Sequence, residues 1–153
     1  MPTARRSRTV PVSPQQVWEV IADPHHMPRW WPDVKRMEGV EADRWTQVFT
    51  TKKGRPVRMD FNLLQSEPPG PGGDPPGRRV WEQDIAGTPF ERVLGEAVTE
   101  ILLEPADHST RVTIALSQKL RGYSRTGGFL LRRATRAKLD EALRGLERIL
   151  TGQ

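Results

Sequence analysis

Two hydrophobic periods divide the chain. From Asp33 to Leu120 apolar and polar residues largely alternate, the period of half-buried strands. The segments on either side repeat every three or four residues, the period of helices. Residues up to Val10 read as the end of a strand. Ser13 then offers an N-cap, Pro14 suits the first helical position, and Gln16 completes an S-x-x-Q capping box. Val17, Trp18, Val20 and Ile21 give this helix one apolar face. Asp23-Pro24 stops it, and a second turn begins around Pro28 and is closed by Pro32.

The alternating region breaks into six strands. Asp33–Glu41 and Arg44–Lys52 read as a hairpin turning at Ala42-Asp43, and Lys53–Pro56 is a further turn. Beyond it Val57, Met59, Phe61 and Leu63 share one face of a strand whose other face carries Arg58, Asp60 and Asn62. Residues 67–78, EPPGPGGDPPGR, are so dense in Pro and Gly that they predict a loop, read as a mobile, tolerated insertion. Arg79–Ile85, Arg92–Leu103 and Arg111–Leu120 complete the set. In the last of these Val112, Ile114, Leu116 and Leu120 share a face whose single polar member is Gln118. From Gly128 to Leu150 the helical period returns. Leu131, Leu139, Leu143, Leu146 and Leu150 form a stripe with Ala142 beside it, and Thr151-Gly152 supplies the stop. Such a helix is roughly 33 Å long.

The order β-α-α-β-β-β-β-β-β-α predicts an α+β fold. Its elements are a seven-stranded curved antiparallel sheet, a long C-terminal helix, and two short helices between strands 1 and 2. A sheet of that width has one face to bury and one long helix to cover it. The sheet must therefore curl around the helix, which is the helix-grip arrangement. The 153 residues read as one domain, 1–153. Strand parity sends the turns at Lys53–Pro56, Gly87–Phe90 and Arg121–Gly128 to one end of the sheet, with Trp31-Pro32 beside them. The turns at Ala42-Asp43, Glu67–Arg78 and Pro105–Ser109 go to the other.

Composition narrows function more than fold. The apolar fraction is only 35%, but five Trp and four Phe add large buried areas per residue. The absence of Cys excludes disulfides, thiolate metal sites and a Cys nucleophile. No apolar run is long enough to span a bilayer, and Arg5, Arg6 and Arg8 are followed by no apolar core of a secretory signal. A cytoplasmic location is the default expectation. The net charge of +5 is dispersed except between Ser117 and Leu139, where Lys119, Arg121, Arg125, Arg132, Arg133, Arg136 and Lys138 stand without an acid among them. That stretch, 119–138, is a solvated surface or, in a sharper reading, a docking face for an anionic partner. Aromatic and basic residues do not interleave on one sheet face, so nucleic acid is not an expected partner.

The residues also resemble a family. Val12-Ser13-Pro14 followed by Val17-Trp18, then Ala22-Asp23-Pro24 and Pro28-Arg29-Trp30-Trp31-Pro32, are similar to the START-like, or SRPBCC, superfamily. Ser109-Thr110-Arg111-Val112-Thr113 and the helix ending Leu143 to Leu150 extend the likeness over nearly the whole chain. That superfamily includes birch pollen allergen relatives, steroidogenic lipid-transfer domains, polyketide cyclases and aromatases, and Hsp90-activator-like domains. The nearest flavour is the bacterial polyketide cyclase/dehydrase-like branch. The Pro-Gly insertion and the acid-free stretch depart from its pattern. The resemblance implies a helix-grip fold and an internal cavity, but no particular reaction, because catalytic residues differ between branches.

If the cavity opens among the first group of turns, Lys52, Lys53, Arg55, Arg121, Arg125, Phe90 and Tyr123 surround its mouth. A basic mouth suits a carboxylate, a phosphate or an acidic carrier protein delivering a substrate. The walls are expected from Trp45, Phe49, Met59, Phe61, Trp81 and Leu116, with Trp30 or Trp31 closing one side and Leu131 and Thr135 on the helix. Each of these is also an ordinary core candidate. Independent of any family, the helix offers only Ala134, Thr135, Ala137 and Lys138 between Leu131 and Leu139, too little volume to fill a deeply curved sheet.

Catalytic constellations are scarce. His25 and His26 are adjacent and point about 100° apart on a helix, so they do not make an i, i+4 metal pair. His108 sits in a distal turn. Glu96 and Glu100 share a strand face with Glu82 or Asp84 as neighbours, a carboxylate cluster unless that face is external, as expected, where they are merely solvated. No Gly-rich phosphate loop, nucleophile elbow or HExxH is present. Tyr123, the single tyrosine, is placed to donate to a ligand carbonyl or to border the core. No cofactor or metal is implied. The expectation is a domain that binds a hydrophobic or aromatic, lipid- or polyketide-like small molecule. A polyketide aromatase/cyclase-like enzyme working mainly by proximity and an Hsp90-activator-like interaction module are the rivals.

Overall fold

The structure, a computed structural model, describes residues 3–122 and 125–152. Strand β1 (Thr3–Val10) leads into helix α1 (Pro14–Ile21). Ser13 caps α1 as its capping box predicts, with its hydroxyl accepting from Gln16 N and Gln16 Oε1 accepting from Ser13 N. A single 3-10 turn at Pro24–His26, capped by Asp23, passes into the one-turn helix α2 (Met27–Trp30). Six strands follow: β2 (Val34–Glu38), β3 (Arg44–Thr50), β4 (Pro56–Glu67), β5 (Gly77–Asp84), β6 (Leu94–Ala106) and β7 (Ser109–Leu120). Helix α3 (Arg125–Thr151) ends the fold, with Gly152 at a φ of 75° just past its last turn.

The seven strands form one antiparallel sheet in the order β1-β7-β6-β5-β4-β3-β2. This is the α+β helix-grip architecture that the element order predicts. Register shifts at Val34/Arg36, Leu63/Gln65 and Leu94/Glu96 add local twist, which helps so long a sheet curl. Leu139, Ala142, Leu143 and Leu146 of α3 are fully buried with Val10, Val17, Ile101, Leu103, Val112 and Ile114 in one cluster. Thr110 is buried too, and its Oγ1 donates to Val12 O at 2.7 Å, tying β7 to the segment after β1.

Several boundaries differ from expectation, each for a local reason. Strand β2 stops at Glu38, because Gly39 turns with a φ of 54° before Ala42-Asp43 is reached. Residues Pro89–Arg92 form a 3-10 turn capped by Thr88, so β6 starts at Leu94 and not Arg92. It then runs through Ala106 and meets β7 across Asp107-His108 alone, His108 taking a φ of 53°.

The Pro-Gly segment is shorter and better anchored than its composition suggests. Strand pairing extends in to Glu67 and out from Gly77, leaving residues 68–76 as the loop. Gln15 Nε2 donates to Gly70 O at 2.8 Å, and Gly73 is buried where a Cβ would lie 2.9 Å from Pro105 and 3.1 Å from Pro14. The loop is thus packed onto the start of α1 and the end of β6. Its place at the end of the sheet away from Phe90 agrees with strand parity.

Candidate functional site

Inward faces of five strands, with Trp31 just after α2, Phe90 and Lys138 of α3, line a pocket of about 220 Å³. Its apolar wall is Trp31, Phe49, Met59, Phe61, Trp81, Phe90, Leu94, Ala97 and Leu116. Pleating explains this set. Phe49 sits one alternation from Gln47, Met59 from Phe61, Trp81 from Gln83, and Ala97 from Thr99, so each strand contributes successive inward residues. Phe90 arrives from the 3-10 turn, where Thr88 Oγ1 accepts from Phe90 N at 3.3 Å.

A run of aromatic rings braces the closed side. Trp30 meets Trp31 edge-on at 5.4 Å, Trp31 meets Trp81 at 6.0 Å, and Trp81 meets Trp45 at 5.9 Å. Trp45 stacks on Phe61 at 6.3 Å. Gly145 seats this run on α3. A Cβ there would lie 2.6 Å from Trp30 O, so only glycine lets α2 approach so closely.

Of the residues expected to line a cavity, Trp31, Phe49, Met59, Phe61, Trp81, Phe90 and Leu116 come together in this wall. Trp45 and Trp30 do not. Both are buried one layer behind, because their rings pack against other aromatics. Leu131 is half-buried and Thr135 is buried, yet neither is in the pocket wall. Tyr123 and the Arg125 side chain lie outside the described residues. Lys52, Lys53, Arg55 and Arg121 are exposed.

The wall is more polar than expected. Gln47, Gln83, Thr99, Gln118 and Lys138 all face in, where Gln118 was the one polar residue noted on its face. Gln47 is only 2% exposed. The signals were available: Gln47 shares parity with Trp45 and Phe49, and Gln83 with Trp81. Lys138 falls on the helical stripe that runs Leu131, Thr135, Lys138, Ala142. Its Nζ lies 5.5 Å from the centroid of the Phe49 ring. Gln83 Nε2 is buried with no hydrogen-bond partner among the described residues.

A second inward cation lies behind the rings. Arg79 is 4% exposed, stacks 5.5 Å from the Trp45 centroid and donates from Nη1 to Ser66 Oγ at 3.0 Å. Burial lowers its pKa, and the charge of Asp23 partly offsets that. Burial also acts to raise the Asp23 carboxyl, but hydrogen bonds from His25 and the charges of His26 and His25 outweigh it and hold the group below its ordinary value. The His25 ring Nδ1 is 3.0 Å from Asp23 Oδ1. His25 is mostly exposed, and no cluster able to hold a metal occurs among the described residues. Glu100 is on the outer face, where it pairs with Arg78 at 2.8 Å. Among the described residues no helix is long and apolar enough to cross a membrane.

Comparisons with known proteins agree with this architecture. A family model described as polyketide cyclase / dehydrase and lipid transport matches residues 1–151. No curated protein matches significantly by sequence. Among solved structures the chain is similar to the di-domain ARO/CYC BexL from the BE-7585A biosynthetic pathway, with a TM-score of 0.75 and 19% identity over 97% of this chain. It spans about half of that protein, 46%. It is also similar to a START superfamily protein from Mycobacterium smegmatis (TM-score 0.74, 11% identity, 98% of this chain and 97% of that one). A third is Ara h 8.0201 (TM-score 0.72, 13% identity, 99% and 98%). At such identities the likeness is one of fold.

Proposed function

The chain belongs to the polyketide cyclase/dehydrase and lipid-transport family of the START-like superfamily, and from that premise we propose that its pocket takes up a compact aromatic or otherwise hydrophobic small molecule. The observation that carries this reading is the unfilled space of about 220 Å³ between the curled sheet and the first half of α3, walled by Trp31, Phe61 and Trp81. Affinity would come from burying apolar surface, at about 25 cal/mol per Å², with the inward amides setting orientation. The volume is below the roughly 300 Å³ at which drug-sized pockets begin, so the occupant is small. One or two fused rings suit it better than a long-chain lipid.

The aromatase/cyclase reading has the family description and the likeness to BexL in its favour. Such an enzyme would fold a polyketone by proximity, since among the described residues the pocket wall has neither a carboxylate nor an imidazole to move protons. An acidic carrier at the mouth is a finer reading supported only by the exposed Lys52, Lys53, Arg55 and Arg121. An interaction module with a vestigial interior is disfavoured by the open space.

Tryptophan fluorescence tests the binding reading, because Trp31 and Trp81 border the space. Titration with 2-methylnaphthalene should shift emission saturably in the wild type. Ala97→Phe, which places a ring in the pocket, should remove the response while melting as a folded protein. An unsaturable response, or one unchanged by Ala97→Phe, overturns the proposal.

A further inference from the structure

We infer that the pocket selects a compact aromatic acid whose carboxylate is held by Lys138, an inference that rests on reading the pocket as a ligand site. Lys138 is the one charged residue in the wall, and its ammonium sits over Phe49 without an ion pair among the described residues. No carboxylate lines the space with it. Arg79, behind Trp45, adds a second positive charge that the nearby Asp23 carboxylate offsets only in part. The interior field therefore favours an anion and repels a cation.

The neutral polar groups point the same way. Gln83 Nε2 is a buried donor with no acceptor among the described residues. A wholly apolar occupant would leave it unmet and would strip water from Lys138 with nothing in exchange. An acid answers the lysine, its oxygens accepting from the ammonium while its rings lie against Trp31 and Trp81, and any oxygen left over can accept from an inward amide. The space of about 220 Å³ limits the ring system to about two fused rings.

The test compares 2-naphthoate with its uncharged isostere 2-naphthamide, using tryptophan fluorescence on the full chain. Naphthoate is expected to bind about ten-fold tighter or more, as a charge-assisted hydrogen bond in a partly desolvated site should give. In Lys138→Met the gap should close to about two-fold or less while naphthamide binds as before, and Lys138→Arg should restore it. Lys138→Gln repeats the comparison should the methionine variant fold poorly. Equal affinities in the wild type, or a gap that survives both neutral variants, overturn the inference and leave the pocket reading intact. Binding of neither ligand overturns the pocket reading and this inference with it.

Discussion

The two halves of helix α3 meet the same sheet in opposite ways. From Leu139 to Leu146 the helix presents Leu139, Ala142, Leu143 and Leu146, all fully buried, and Gly145 admits the backbone of Trp30. Its flanks are tied to β1 by Arg6 with Asp140 at 3.4 Å and by Arg8 with Glu147. From Phe129 to Lys138 the described residues include exposed Arg133, Ala134, Arg136 and Ala137, and Phe129 and Leu130 remain more than half exposed. One half closes the core. The other contributes Lys138 to the pocket wall. A single amphipathic helix can thus serve as core and as ceiling, depending on side-chain volume along its inner stripe.

The contrast can be broken from either side, and the largest effect is expected in the closed half. Leu143→Ala should cost about 2–5 kcal/mol, read as a shift in chemical denaturation, because the rigid surroundings leave a cavity. Gly145→Ala comes next. Its gain of about 1 kcal/mol in helix propensity is outweighed by the clash with Trp30 O, so a net loss of about 1–3 kcal/mol is expected. A neutral or stabilising result would show that α2 is not seated there.

A smaller effect belongs to Asp23, at the junction of α1 and α2. Its folded pKa is depressed below 3.8, so its contribution is present above the unfolded value and is lost as pH falls through the folded one. Wild type should therefore lose stability on acidification below about pH 4 by more than Asp23→Asn does, in urea titrations across that range. Lys138→Met, in the open half, should move stability by less than about 0.5 kcal/mol, since it removes no packed volume. Loss on the scale of Leu143→Ala would mean that the open half is core after all.

Legibility in the sequence followed the range of the physics. Ser13 and Gln16 meet within one turn, so the capping box could be read directly. Period two placed Phe49, Met59, Phe61, Trp81 and Leu116 on the inner face, and period 3.6 placed Leu139, Leu143 and Leu146. The same rule covers Gln47, Gln83 and Lys138, which hydropathy alone sets aside as surface residues because it assumes that polar side chains face water. Register was not legible. Trp45 and Trp81 have equal claims on the cavity by sequence, yet Phe61 stacks on one while the other borders open space. The seating of the proline-rich loop was illegible for a related reason, since composition reports local stiffness and not what Gly73 packs against.

By itself, then, the sequence determined which elements form, in what order, and which face of each turns inward, because these depend on residues a few positions apart. Only the tertiary structure decided how far the sheet curls, that Gly145 brings α2 against α3, and that the remaining space is lined by four neutral polar side chains and one lysine. Those outcomes depend on volumes and charges summed over segments distant in the chain, and no local pattern encodes such a sum.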